Sequence, residues 1–185
     1  GNTTFKRSFF LNNAQFAADL EVYNCIFKHR LKATDANFRS NTRFYQCHFI
    51  ESTSFRDAKF KKNTDFGRAN FKKDCNFNDA EFVGQAIFTE SIFTDSANFY
   101  GVEFHDVTSF NLTAASSAAV PISFQDAKFF KHPPRFFGRA LHEDTNWTGV
   151  KLPNAEAQAA LPRYLLEHDK RAYEQLRIKC GALGK

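Results

Sequence analysis

The chain of 185 residues contains no methionine and one tryptophan, and its 4 cysteines form no C-x-x-C pair. Each absence excludes something. A core without Met and nearly without Trp is tiled by another, stiffer set of side chains rather than by adaptable ones. A first residue that is Gly1 reads as a trimmed or engineered start. The spacing of Cys25, Cys47, Cys75 and Cys180 fits no zinc site. No apolar run approaches the roughly 20 residues of a membrane helix and no signal-peptide pattern opens the chain, so a soluble chain is expected. The histidines His29, His48, His105, His132, His142 and His168 include no H-E-x-x-H, and Ser116 and Ser117 sit in no G-x-S-x-G. His142, Glu143 and Asp144, the densest polar cluster, read as a turn. Catalytic residues, cofactor sites and metal sites are all expected to be absent.

What the sequence does have is phenylalanine, 24 of them, on a fixed beat. One series runs Phe5, Phe16, Phe27, Phe38, Phe49, Phe60, Phe71, Phe82, Phe93 and Phe104. The other runs Leu11, Val22, Ala33, Phe44, Phe55, Phe66, Phe77, Phe88, Phe99 and Phe110. Interleaved, they advance in steps of six and five, and each series repeats every 11 residues. A small residue sits two before most of these positions: Ala36 before Phe38, Ala58 before Phe60, Ala80 before Phe82. Such a short fixed period is the mark of a solenoid, in which each repeat buries its apolar side against its neighbours.

The units Ala14-Gln15-Phe16, Ala36-Asn37-Phe38, Ala58-Lys59-Phe60, Ala69-Asn70-Phe71, Ala80-Glu81-Phe82 and Ala97-Asn98-Phe99 resemble the pentapeptide-repeat proteins, consensus A-(D/N)-L-x-x, in a variant with Phe at the centre. The resemblance covers about residues 3 to 152. It implies an all-β repeat solenoid, a right-handed quadrilateral β-helix. The extra residue in alternate units makes a coil of 22 residues rather than 20 and predicts that two of the four corners are wider. Sorted by 22, the large residues fall into four stacks, with rings about 4.8 Å apart along the axis. Cys25, Cys47 and Cys75 fall in small inward slots, which reads as buried thiols of a reducing, cytoplasmic compartment. Cys25 and Cys47 should be neighbours with parallel side chains, a reduced pair rather than a bridge.

The beat breaks after Phe110, predicting a corner insertion near residues 113–123, and resumes at Phe124 and Phe129. A second slip at His132-Pro133-Pro134 lets Phe136, Leu141, Trp147 and Leu152 continue the lattice. That register places Arg139 in a small inward slot. The sequence thus divides into a β-helix over 1–152 and a helical cap or connector over 153–185, with Asn154 as a helix cap and Gly181 as a stop. A dimer through those C-terminal helices is the alternative to capping.

Charge is banded along the chain. Residues 1–80 carry 14 basic and 8 acidic residues, residues 81–112 carry 5 acidic and no basic ones, and the remainder 11 and 7. On the first face Lys6 stacks on Lys28, with Lys72 and Lys73 two coils on; on the third Arg39 stacks on Lys61, beside Lys62. These seven are the candidate interaction surface, and the plainer reading is a solvated face with interleaved acids. The leading functional expectation is a noncatalytic scaffold or protein-interaction module without a small-molecule substrate. Its partner would be another protein or a further domain of a bacterial membrane-associated protein. The resemblance also brings in family members that imitate DNA, bind type II topoisomerases and confer quinolone resistance; the basic first half opposes that reading and only the short acidic band supports it. Binding of nucleic acid or of an anionic membrane surface through the basic walls is the third expectation.

Overall fold

The computed structural model describes residues 2–112, 120–139, 141–142 and 144–154. The expected C-terminal helices and most of the expected insertion lie outside these residues. Among them run 22 short strands, wound into a parallel solenoid whose four walls are four separate parallel sheets.

Wall one stacks Thr4–Phe5, Ile26–Phe27, His48–Phe49, Asn70–Phe71 and Ile92–Phe93. Wall two stacks Phe9–Phe10, Leu31–Lys32, Thr53–Ser54, Cys75–Asn76, Ala97–Asn98 and Ile122–Ser123. Wall three starts at Gln15–Phe16 and ends at Lys128–Phe129; wall four starts at Leu20–Tyr23 and ends at Thr108–Ser109. Register is strict at 22, as in Lys59↔Glu81 and Phe60↔Phe82. It widens to 25 at Ala97↔Ile122 and Glu103↔Lys128, which is the three-residue insertion expected from the broken beat.

The alternation of five and six has a backbone cause. In the five-residue steps the chain makes a tight turn closed by an i to i+3 hydrogen bond, for example Ala58 N donating to Phe55 O at 3.1 Å. The third turn residue is left-handed, with Asp57 at φ 57°. This is the type II pattern, which favours Gly, Asn or Asp at that place. Asn13, Asp35, Asp57, Asp79, Gly101, Asp126 and Gly149 fill it in the corner between walls two and three. The corner between walls four and one is less obliging: after Asn24 it holds Gln46, Arg68 and Glu90 in the left-handed region. The other two corners, with the longer step, are the wide ones.

Inside, the Phe rings form the expected stacks. Phe38 to Phe60 is 4.8 Å between centroids and Phe60 to Phe82 is 4.7 Å, with planes within 7°. Neighbouring stacks meet edge to face, as Phe66 does with Phe77 at 5.3 Å and 77°. Both geometries suit the aromatic quadrupole. The two slots compensate in volume where the large one is underfilled. Leu31 precedes Ala33 and both are fully buried. Leu20 precedes Val22, and Phe9 precedes Leu11, its ring 5.0 Å from Phe5.

The thiols of Cys25, Cys47 and Cys75 are free and buried. Burial pushes Cys47 up to about 12 and Cys75 well above the ordinary thiol range. Arg139 does occupy the inward slot that the register gave it. Its guanidinium spans the end of a column, Nε donating to Phe110 O at 2.5 Å and Nη2 to Ser91 O at 2.6 Å, and burial lowers it to about 10.

Candidate interaction surface

A coil filled by its own rings leaves chemistry to the outward residues. The seven candidate cations divide between opposite walls. Lys6, Lys28, Lys72 and Lys73 lie on wall one and its corner; Arg39, Lys61 and Lys62 lie on wall three. The ladder of wall one is interrupted, since Ile50, 37% exposed, occupies the rung between Lys28 and Lys72. On wall three, Lys61 Nζ is 2.6 Å from Glu81 Oε2, and Arg39 Nη2 donates to Gln15 Oε1 at 3.2 Å. The candidates are therefore neither one surface nor uniformly available.

Walls three and four are laced with ion pairs between coils. Glu103 meets Lys128 at 2.7 Å and His105 at 3.5 Å, and the Lys128 hydrogen bond holds the Glu103 carboxyl below the usual range. Arg43 lies between Glu21 at 3.3 Å and Asp65 at 3.4 Å, and donates to Tyr23 Oη at 2.7 Å. Arg68 bonds Glu90 at 2.5 Å, and Lys131 bonds Asp106 at 3.0 Å. Ser40 and Asn41 hydrogen-bond Asp19 and lower it. These bonds neutralise the acidic band. Of Glu81, Glu90, Asp95, Glu103 and Asp106, all but Asp95 face a cation from a neighbouring coil. A dense acidic surface is not formed there.

Wall two and the corner leading into it differ. Lys6, Arg7, Lys28, Arg30 and Lys32 have no carboxylate within 4.0 Å among the described residues. The outward column of wall two reads Phe10, Lys32, Ser54, Asn76, Asn98, Ser123, each in register with the next. A shallow open pocket of about 300 Å³ lies on it, lined by Arg30, Lys32, Ser52, Thr53, Ser54, Asp74 and Asn76. Phe10 beside it is 63% exposed. Reading the seven candidates off walls one and three passed over this column, although sorting outward residues by 22 assembles it from sequence alone.

Two further rings that fall in neither 11-residue series are also outside. Phe130 stacks on His105 at 4.4 Å while 49% exposed, and Phe137 is 66% exposed. No cluster of His, Cys, Asp and Glu that could hold a metal ion occurs among the described residues. No described helix is long and apolar enough to cross a membrane.

No curated protein and no solved structure matches the chain. A family model does, the pentapeptide repeats, with 9 copies, over residues 23–69, 33–81 and 66–114. The matched segments coincide with the coils whose small and large slots are most regular, and the chain is a member of the pentapeptide-repeat family.

Proposed function

We propose that this protein is a noncatalytic interaction module that engages its partner through an outer wall of the coil. The observation that carries this reading is the filled interior. From Phe27 to Phe129 the stacked rings are at most 2% exposed, so no enclosed site remains between them for a small substrate. Burial keeps the Cys47 and Cys75 thiols protonated at neutral pH, and the histidine most surrounded by carboxylates, His105, sits in a ladder of ion pairs spanning wall three. What the coil offers instead is flat, chemically distinct walls at fixed spacing.

Photo-cross-linking tests this. A photoreactive residue is placed in turn at Ile50, Lys32, Lys59 and Glu21, one on each wall, and irradiated in lysate of the source cells. One wall should give a discrete cross-linked species and the others background. Equal labelling of all four walls would overturn the reading. So would turnover of ester, phosphate-ester or glycoside reporters that stays with the purified chain.

A further inference from the structure

We infer that wall two binds single-stranded nucleic acid, with a phosphate seated between Arg30 and Lys32 and a base stacked on Phe10. The inference rests on the reading that the outer walls carry the function, and it names the partner of one of them.

Donors converge on the pocket. Arg30 and Lys32 bring two cations, and neither has a carboxylate within 4.0 Å among the described residues. Ser52 and Ser54 add hydroxyls. Asn76 spends its Oδ1 on Asn78 N at 2.8 Å, which leaves its amide N–H groups as donors. The single acid in the lining, Asp74, has Oδ1 occupied by Ser96 Oγ at 2.8 Å. Two cations with neutral donors around them form a site for a phosphodiester, whose oxygens accept from several sides at once.

Phe10 selects the kind of phosphate. It is in register with Lys32 on the adjacent strand, so the two side chains leave neighbouring strands about 4.8 Å apart along the axis. A buried ring would serve the core, but this one is 63% exposed and faces solvent beside the cations. Aromatic faces next to a basic track are how proteins hold unpaired bases without reading sequence.

A bilayer is a poorer occupant. The corner between walls two and three carries Asp35, Asp57, Asp79 and Asp126 in one row. A planar anionic surface laid on wall two would be pressed against that row, whereas a strand confined to the Arg30 and Lys32 side avoids it. The recess also fits a discrete phosphate better than a flat sheet of headgroups.

The test is fluorescence anisotropy of the chain with labelled oligothymidylate and oligouridylate of about 12 nucleotides, across a salt series, in the range where single-strand sites fall. Binding should weaken steeply as salt rises. Arg30→Ala/Lys32→Ala should reduce affinity at low salt and flatten the slope of log K against log salt by about 1.4, two contacts at about 0.7 each. Phe10→Ala should weaken binding about tenfold with the slope unchanged, because stacking releases no counterions. Lys59→Ala/Lys62→Ala on wall three should change neither quantity. All five side chains are outward, and far-UV circular dichroism confirms folding of each variant. No binding at low salt, equal loss in the wall-three variant, or capture of phosphatidylserine-rich vesicles with no oligonucleotide binding would overturn the inference. Such a failure leaves the wall reading intact, since cross-linking tests that separately.

Discussion

Wall three and wall two are built on the same backbone, with strands in the same register and Phe rings behind both, yet they use charge in opposite ways. On wall three, Lys61 with Glu81 and Lys128 with Glu103 join successive coils, with His105 between the glutamates. On wall two, Lys32 follows Phe10 and precedes Ser54 and Asn76, and no carboxylate comes within 4.0 Å of it among the described residues. The difference teaches that a repeat array can hold its fold with the interior alone and distribute its outward charges to separate ends. Where cations are paired across coils they add to the cohesion of the rod; where they are left open they keep their full field for something else.

The interior is shared by both walls, so breaking it has the largest effect. Phe60→Ala or Phe71→Ala should cost about 3 to 5 kcal/mol of unfolding free energy in a denaturant titration. Each removes a ring stacked on both sides, and a cost below about 1 kcal/mol would contradict a close-packed interior. A repeat array unfolds through neighbouring units, so the loss should appear also as a less cooperative transition.

Acid separates the walls next. Glu103 is held below its ordinary range by Lys128, and Asp106 by the Val107 amide and Lys131. For carboxyls depressed in the folded state, the stabilisation is present above the unfolded pKa and is lost as pH falls through the lower, folded one. The melting temperature should therefore fall as pH drops below about 4.5, more so at low salt, and Lys128→Ala should blunt that fall. Arg30→Ala should leave the acid limb as it is. At the alkaline end, Cys47 is raised to about 12 by burial, so stability should erode above about 9 as the unfolded thiol ionises and the folded one does not. Native Cys47 and Cys75 should resist iodoacetamide at neutral pH and react in denaturant.

Smaller effects sharpen the contrast. Lys61→Ala/Lys128→Ala should lower stability by much less than either ring substitution, as loss of partly exposed ion pairs does. Arg30→Ala/Lys32→Ala should stay within about 0.5 kcal/mol of the parent. The smallest change belongs to the corners. Gln46 sits at φ 56° where its counterparts in the other corner are Asn, Asp and Gly. Gln46→Asn should stabilise by about 0.5 kcal/mol through relief of the left-handed strain, and a loss of stability would contradict the turn assignment.

Much of the fold was legible because inward residues obey one arithmetic. Phe60, Phe82 and Phe104 are 22 apart, and the backbone pairs them at that interval. Even Arg139, an implausible residue for an inward slot, lies where the register put it, since its head finds two carbonyls at the end of a column. The outward charges were less legible for a geometric reason. Glu81 stands directly across from Lys59, yet Lys61 is the cation that reaches it, because a long side chain can cross diagonally between strands. Straight columns predict Arg39 over Lys61 and miss that pair. Phe10 was passed over for a related reason: an off-lattice ring adjoining Phe9 gives no sign in the beat of whether it faces in or out.

The central claim is that wall-three charges add to the cohesion of a coil held by its interior, while wall-two charges bind a partner. One paired measurement tests it: unfolding free energy and oligothymidylate affinity, determined for Lys61→Ala/Lys128→Ala and for Arg30→Ala/Lys32→Ala. The account predicts that the first variant loses stability and keeps affinity, and that the second keeps stability and loses affinity together with its salt slope. Parallel changes of both quantities in both variants would contradict it.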